Sequence, residues 1–334
     1  MRTLRGLPFQ RVTIRGQRVG SVSDCAATRR GPRKTWQVPR RAVPTDLGHY
    51  HQEAVLELWR IGWQSRRRMN RINERFAALK QQAKKGFIVY IGAGDPNLDA
   101  TLKLALAFDE AGVDVLELGV PFSDPLADGL VNQLAAQRGL ESGTTPAKVL
   151  ATVAAIRERS QIPIVLYIYF NLLHRCGVEK FIKNAAHAGV DGLLVLDLPP
   201  EESENYETLM RDAGMRVIYL VAPTTPDERI ELIVKRGTGF IYYVSREGVT
   251  GMQARVSDTI GAMVAKIRAS TELPVAVGFG ISNPEQARTV AASAEAIVVG
   301  SAVVNQIARY GDGPELVPQV AGYVKSLVDA VKTM

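Results

Sequence analysis

Two carboxylates eleven residues apart are the residues of this chain best placed to do proton chemistry. Glu117 interrupts the apolar run Val115-Leu116-Glu117-Leu118-Gly119. Strand alternation would aim it into a protein interior, where an unpaired carboxylate is costly. Burial of that kind lifts a carboxyl toward neutral pH, which suits a group that both gives and takes a proton. The same position also suits a structural glutamate hydrogen-bonded to a neighbouring strand or facing a helix, and position alone leaves both readings open. Asp128 follows in the loop Pro121-Phe122-Ser123-Asp124-Pro125-Leu126-Ala127-Asp128-Gly129. A loop aspartate taken alone is a turn or cap residue.

Three glycine-rich segments offer a second kind of chemistry. Ser245-Arg246-Glu247-Gly248-Val249-Thr250-Gly251 has the make-up of a mobile lid. Gly278-Phe279-Gly280-Ile281-Ser282 and Gly300-Ser301-Ala302 each follow an apolar run. Their glycines let backbone N–H groups approach a phosphate, and a following helix N-terminus adds a favourable dipole. Either segment alone says little; together they point to a phosphate monoester. No metal-ligand spacing and no cofactor motif is visible. His174 and His187 are isolated, and Cys176, after Arg175, lacks a paired histidine base.

These residues must be positioned by eight short apolar runs: Phe87–Ile91, Val115–Leu118, Ile164–Tyr169, Gly192–Leu196, Val217–Val221, Phe240–Val244, Val275–Val277 and Ala296–Val299. Helix-period segments separate them, including Leu102–Ala111, Pro146–Arg159, Val178–Ala188, Glu201–Ala213, Pro226–Lys235, Ser257–Ala269 and Pro284–Ala291, with a last one near Leu316–Val331. An amphipathic helix carrying Ile72, Phe76 and Leu79 precedes the first run. Eight alternating strand and helix units predict a single closed (β/α)8 TIM barrel, whose chemistry sits at the C-terminal strand ends and whose phosphate site follows strands 7 and 8. A doubly wound open sheet is the alternative, usually with fewer strands. The tetrapeptide Ala-Gly-Val-Asp recurs at 111–114 and 188–191, each time just before a strand. It marks a repeating junction and not chemistry.

Composition divides the 334 residues in two. Residues 1–68 hold fifteen of the 41 basic and four of the 34 acidic side chains, a net of +11, whereas residues 69–334 carry −4. The overall +7 therefore belongs to a basic, low-order N-terminal extension, and the acidic body has no reason to seek nucleic acid. Three readings of 1–68 compete: an overlong reading frame with the start at Met69, an Arg-rich targeting peptide (a plastid address among them), and a polyanion-binding arm. Cys25 and Cys176 lie one in each part, so a disulfide is not expected, and a reducing cytoplasm is. No run approaches the roughly 20 apolar residues of a membrane span.

The run Leu116–Gly129 resembles the signature of the tryptophan synthase α-subunit family. Gly94-Asp95-Pro96, Ser245-Arg246 with Gly248–Gly251, and Gly278–Ser282 occur in the family's order. The resemblance covers Met69 to the end. It implies retro-aldol cleavage of indole-3-glycerol phosphate to indole and glyceraldehyde 3-phosphate. It further implies Glu117 as the proton-transfer group and Asp128 as the carboxylate beside the indole N–H. Tyr90, Tyr169, Tyr242, Thr250 and Phe279 then line the substrate, and Gly251, Gly280, Gly300 and Ser301 hold the phosphate. The family works as an α2β2 heterotetramer that passes indole to the β subunit, which carries the pyridoxal phosphate; the α chain needs no cofactor. Tyr90 for the family's Phe, Gly92 for Thr, Leu130 for Pro and Asn132 for an apolar residue are departures. They touch the loops after strands 1 and 2 and spare the carboxylates. A phosphoribosyl-adduct enzyme and a non-catalytic binding module are the other readings.

Overall fold

The described residues of this computed structural model are 69–244, 253–278 and 280–334, without the side chains of 253–258. The eight apolar runs become eight parallel strands paired in chain order, β8 returning to β1. They are β1 (Gly86–Gly92), β2 (Val115–Gly119), β3 (Ile164–Ile168), β4 (Gly192–Val195), β5 (Arg216–Val221), β6 (Ile241–Val244), β7 (Val275–Gly278) and β8 (Ala296–Val299). The TIM barrel is closed, with no edge left to pair elsewhere.

Helices wrap it in the expected alternation. They are α1 (Arg71–Gln81), α2 (Leu98–Glu110), α3 (Leu130–Glu141), α4 (Pro146–Arg157), α5 (Phe170–Cys176), α6 (Val178–Ala188), α7 (Glu204–Asp212), α8 (Asp227–Arg236), α9 (Gln253–Arg268), α10 (Pro284–Ala291), α11 (Ser301–Tyr310) and α12 (Leu316–Lys332). Three of these, α3, α5 and α11, are not among the helices read from sequence, although α11 buries Val303, Val304 and Ile307 at helical spacing. In α3 only Ala135 and Gly139 are buried, so no apolar stripe marks it. Helix α2 starts four residues earlier than expected because the Asn97 side chain accepts from Ala100 N at 2.8 Å and caps it. The expected helix 201–213 is instead a 3-10 turn, Pro200–Glu202, then α7. The break falls at Ser203, whose hydroxyl is turned back onto Pro200 O at 2.8 Å.

Alternation along the strands makes two cores. Outward residues such as Val89, Leu116, Leu118, Leu166 and Val277 pack under the helices. Inward residues Ile88, Val115, Val165, Leu194, Ile218 and Ala276 fill the lower barrel, and α1 plugs it from below with Ile72, Phe76 and Leu79. The upper barrel is thereby left to the chemistry.

The repeated Ala-Gly-Val-Asp junction has a physical role. Asp114 Oδ2 accepts from Phe87 N at 2.7 Å, and Asp191 Oδ2 accepts from Ile164 N at 2.8 Å. Each buried aspartate thus ties its strand to the preceding one, and each is neutralised: Asp114 by Arg75 and Lys332, Asp191 by Arg71 and Arg157. Burial pushes the Arg157 guanidinium down to about 10, an effect that Asp191 opposes. Asp191→Ala should therefore cost about 3 kcal/mol, since it strands a buried cation and a strand N–H. A urea unfolding midpoint measures that loss, and the site at the far end of the barrel should keep its activity below the transition.

Candidate active site

Register decides which side chains meet in the upper barrel. Tyr90 pairs with Glu117, Glu117 with Val165, Gly119 with Tyr167 and Tyr242 with Ala276. Residues paired across neighbouring strands share a face, as do residues two apart on one strand. Tyr90, Glu117, Tyr167 and Tyr242 therefore line one cavity of about 810 Å³ at the C-terminal strand ends. Glycine makes room for two of these rings. A Cβ on Gly119 would stand 2.5 Å from Tyr90 Oη, and one on Gly278 would stand 2.7 Å from Tyr242 Oη.

Glu117 is 2% exposed. Burial, and secondarily the negative charge of Asp128, push its carboxyl up to about 8. The group is thus protonated at neutral pH and can return to that state after giving its proton away. The structural reading of Glu117 predicts a hydrogen bond to a neighbouring strand; the carboxyl instead borders the cavity.

Asp128 is not a simple turn residue either. Its loop folds back over the barrel mouth, and both carboxylate oxygens are engaged from β3 and the residue following it. Tyr167 Oη donates to Oδ1 at 2.6 Å and Tyr169 Oη to Oδ2 at 2.8 Å. Burial and Asp128 together hold both phenols protonated, well above their ordinary range. Tyr169 also accepts from Ala127 N at 3.0 Å and packs on Phe122, so it stands behind Asp128 outside the cavity lining. Asn132, at the start of α3, lines the cavity, and its buried Oδ1 has no partner among the described residues.

Gly280, Gly300 and Ser301, which follow β7 and β8, line the same cavity. Gly280 sits at φ +65, a left-handed conformation that glycine adopts freely. The two nearby helices differ at their starts. Asn283 caps α10 by accepting from Gln286 N at 3.0 Å. Helix α11 begins at Ser301 with no side-chain cap, so its first N–H groups are available to an anion.

Tyr90, Glu117, Asp128, Tyr242, Gly280, Gly300 and Ser301 are thus brought together from the positions expected of them. Thr250, Gly251 and Phe279 lie outside the described residues. Sequence reading missed Tyr167. Its signal was the two-residue step from Val165, the strand partner of Glu117, which places Tyr167 on the face that Glu117 shares. Among the described residues no group of His, Cys, Asp or Glu is placed to hold a metal, and no helix is long and apolar enough to cross a membrane.

A mouth built this way is that of a (β/α)8 barrel equipped for proton transfer, with an uncapped helix start open to an anion. The description "tryptophan synthase alpha chain" belongs to the family model that matches residues 76–331. The chain belongs to the tryptophan synthase alpha chain family, and it is a lyase of tryptophan biosynthesis that cleaves indole-3-glycerol phosphate. The alpha chain of Opitutus terrae is 54% identical over 265 residues, spanning 79% of this chain and 100% of that one. That of Citrifermentans bemidjiense is 48% identical over 263 residues, 79% and 98% respectively. The crystal structure of tryptophan synthase subunit alpha from Legionella pneumophila superimposes with a TM-score of 0.73 at 34% identity, covering 80% of this chain and 100% of that one. An aminoacrylate-bound tryptophan synthase from M. tuberculosis gives 0.71 at 29% identity, covering 78% and 99%. The family implies a β-subunit partner.

Proposed function

We propose that Glu117 and Asp128 carry the cleavage in separate roles. Indole is a poor carbanion leaving group until C3 of the ring is protonated. Protonated Glu117 delivers that proton, and positive charge then develops at the ring nitrogen. Asp128 accepts from the N–H and stabilises that charge. The glycerol hydroxyl next loses its proton to the Glu117 carboxylate as the C–C bond breaks, releasing indole and glyceraldehyde 3-phosphate and restoring the acid. Tyr90 and Tyr242 flank the ring, with Phe279 and Thr250 assigned beside it, and Tyr169 supports from behind Asp128. The phosphate lies on Gly280, Gly300, Ser301 and Gly251, at the uncapped start of α11. The observation that carries this reading is the pairing of a buried, proton-holding Glu117 with a doubly hydrogen-bonded Asp128 in one cavity.

The pH dependence of indole release tests it. The free enzyme must hold its proton on Glu117, so kcat/KM should be level from neutral pH to about 8 and fall roughly tenfold per pH unit above it. A profile that rises through that range overturns the assignment of Glu117 as the acid.

The partner arrangement follows as an α2β2 heterotetramer that transfers indole to the β subunit, where pyridoxal phosphate resides; this chain uses no cofactor of its own. Support comes from exposed leucines next to the cavity-lining residues Asp128 and Asn132: Leu126 in the loop, and Leu130 and Leu134 one turn apart on α3, at 92%, 69% and 44% exposure. We assign catalysis to residues 69–334, placing 1–68 outside the catalytic domain, and the enzyme to the cytoplasm. The relatives' full length aligning to 79% of this chain supports that division.

A further inference from the structure

We infer that Tyr167 is a positioning residue for the cleavage, aiming the Asp128 carboxylate at the ring nitrogen from inside the substrate cavity. This rests on the role proposed for Asp128. The two phenols on Asp128 differ in what else they hold. Tyr169 bonds Oδ2 and also the backbone N–H of Ala127, so it secures the loop as well as the side chain. Tyr167 bonds Oδ1 alone, at 2.6 Å. It lines the cavity, whereas Tyr169 does not.

Tyr167 is itself held firmly. It projects from β3 beside Gly119, and its ring meets Tyr90 edge to face, with centroids 5.0 Å apart and planes at 67°. A phenol has few rotamers to lose, and this one is packed against a strand residue. Asp128, by contrast, sits on a loop whose other ties are backbone bonds, Asp128 N to Pro125 O and Gln133 Nε2 to Asp128 O. Those ties locate the main chain but leave the carboxylate free to rotate. Tyr169 fixes one oxygen, and a carboxylate pinned at one oxygen can still swing about that bond. The second bond, from Tyr167, removes the swing. Each oxygen retains a further lone pair, so the ring N–H can be accepted without displacing either phenol. The carboxylate is thus oriented before the substrate arrives, and no reorganisation falls within the chemical step.

Tyr167→Phe keeps the ring packing and removes only the donor. It should lower kcat for indole release by about tenfold to a hundredfold, the usual worth of a hydrogen bond to a charged group, with KM changed less than about threefold. In an Asp128→Asn background the same substitution should add less than about twofold, because residues that act through one another are not additive. Wild-type kcat in Tyr167→Phe overturns the inference and leaves Asp128's role standing. So does the full Tyr167→Phe loss recurring in the Asp128→Asn background. If Asp128→Asn alone keeps wild-type activity, the role of Asp128 falls and this inference with it.

Discussion

Glu117→Gln should release no measurable indole from indole-3-glycerol phosphate, a loss of at least about a thousandfold in kcat, near the upper end of what one positioned acid–base group supplies. Glutamine matches the volume of the acid and can donate a hydrogen bond, but it has no proton to transfer to C3. The barrel should be intact, because among the described residues the carboxyl makes no bond to a neighbouring strand of the kind Asp114 and Asp191 make, and its neighbours Leu116 and Leu118 keep their outer packing. Binding of glycerol 3-phosphate, assigned to the loops after β7 and β8, should be unchanged, and calorimetry can confirm that.

The same variant should gain stability at alkaline pH. Burial lifts the folded-state value of Glu117 from 4.5 to about 8. Between those values the folded chain binds more protons than the unfolded one, so this group's contribution to stability declines as pH rises through that window. Above about 8 the wild type carries a buried charge at a cost of a few kcal/mol, which glutamine does not. Denaturation at pH about 9 should therefore show Glu117→Gln as the more stable protein. Equal stabilities would mean that the carboxyl is not held in its acid form by the fold.

Asp128→Asn is the second large effect. Loss of the charge facing the developing iminium should lower kcat by about a hundredfold to a thousandfold, the range for deleting one oriented electrostatic group. Asparagine can still accept from one phenol, so the loop should close as before and KM should change little. A second consequence reaches Glu117. The charge of Asp128 is the lesser of the two causes that raise it, so the alkaline limb of any residual activity should move to lower pH while staying far above an ordinary glutamate. A limb that does not move would place the two carboxylates farther apart in solution than the cavity holds them.

Much of this protein was legible before folding. The eight apolar runs alternating with helices favoured a closed parallel sheet over a doubly wound open one, which usually has fewer strands, and the barrel is closed. The glycines at 280 and 300 fall in the two loops where the sequence placed the phosphate, and both line the cavity; the long run around Glu117 and Asp128 pointed to one family. Helix α3 was not legible, since its solvent face bears Leu130 and Leu134 and so shows no amphipathic stripe.

Sequence by itself determined the barrel and the family and singled out the two carboxylates, because these depend on local periodicity and on a contiguous signature. Tertiary structure decided how each carboxylate is held. Burial by strands far apart in sequence makes Glu117 hold its proton, and strand register sets two tyrosines, 39 and 41 residues away along the chain, on the two oxygens of Asp128. Desolvation and cross-strand hydrogen bonding are properties of the assembled cavity, and no local pattern encodes them.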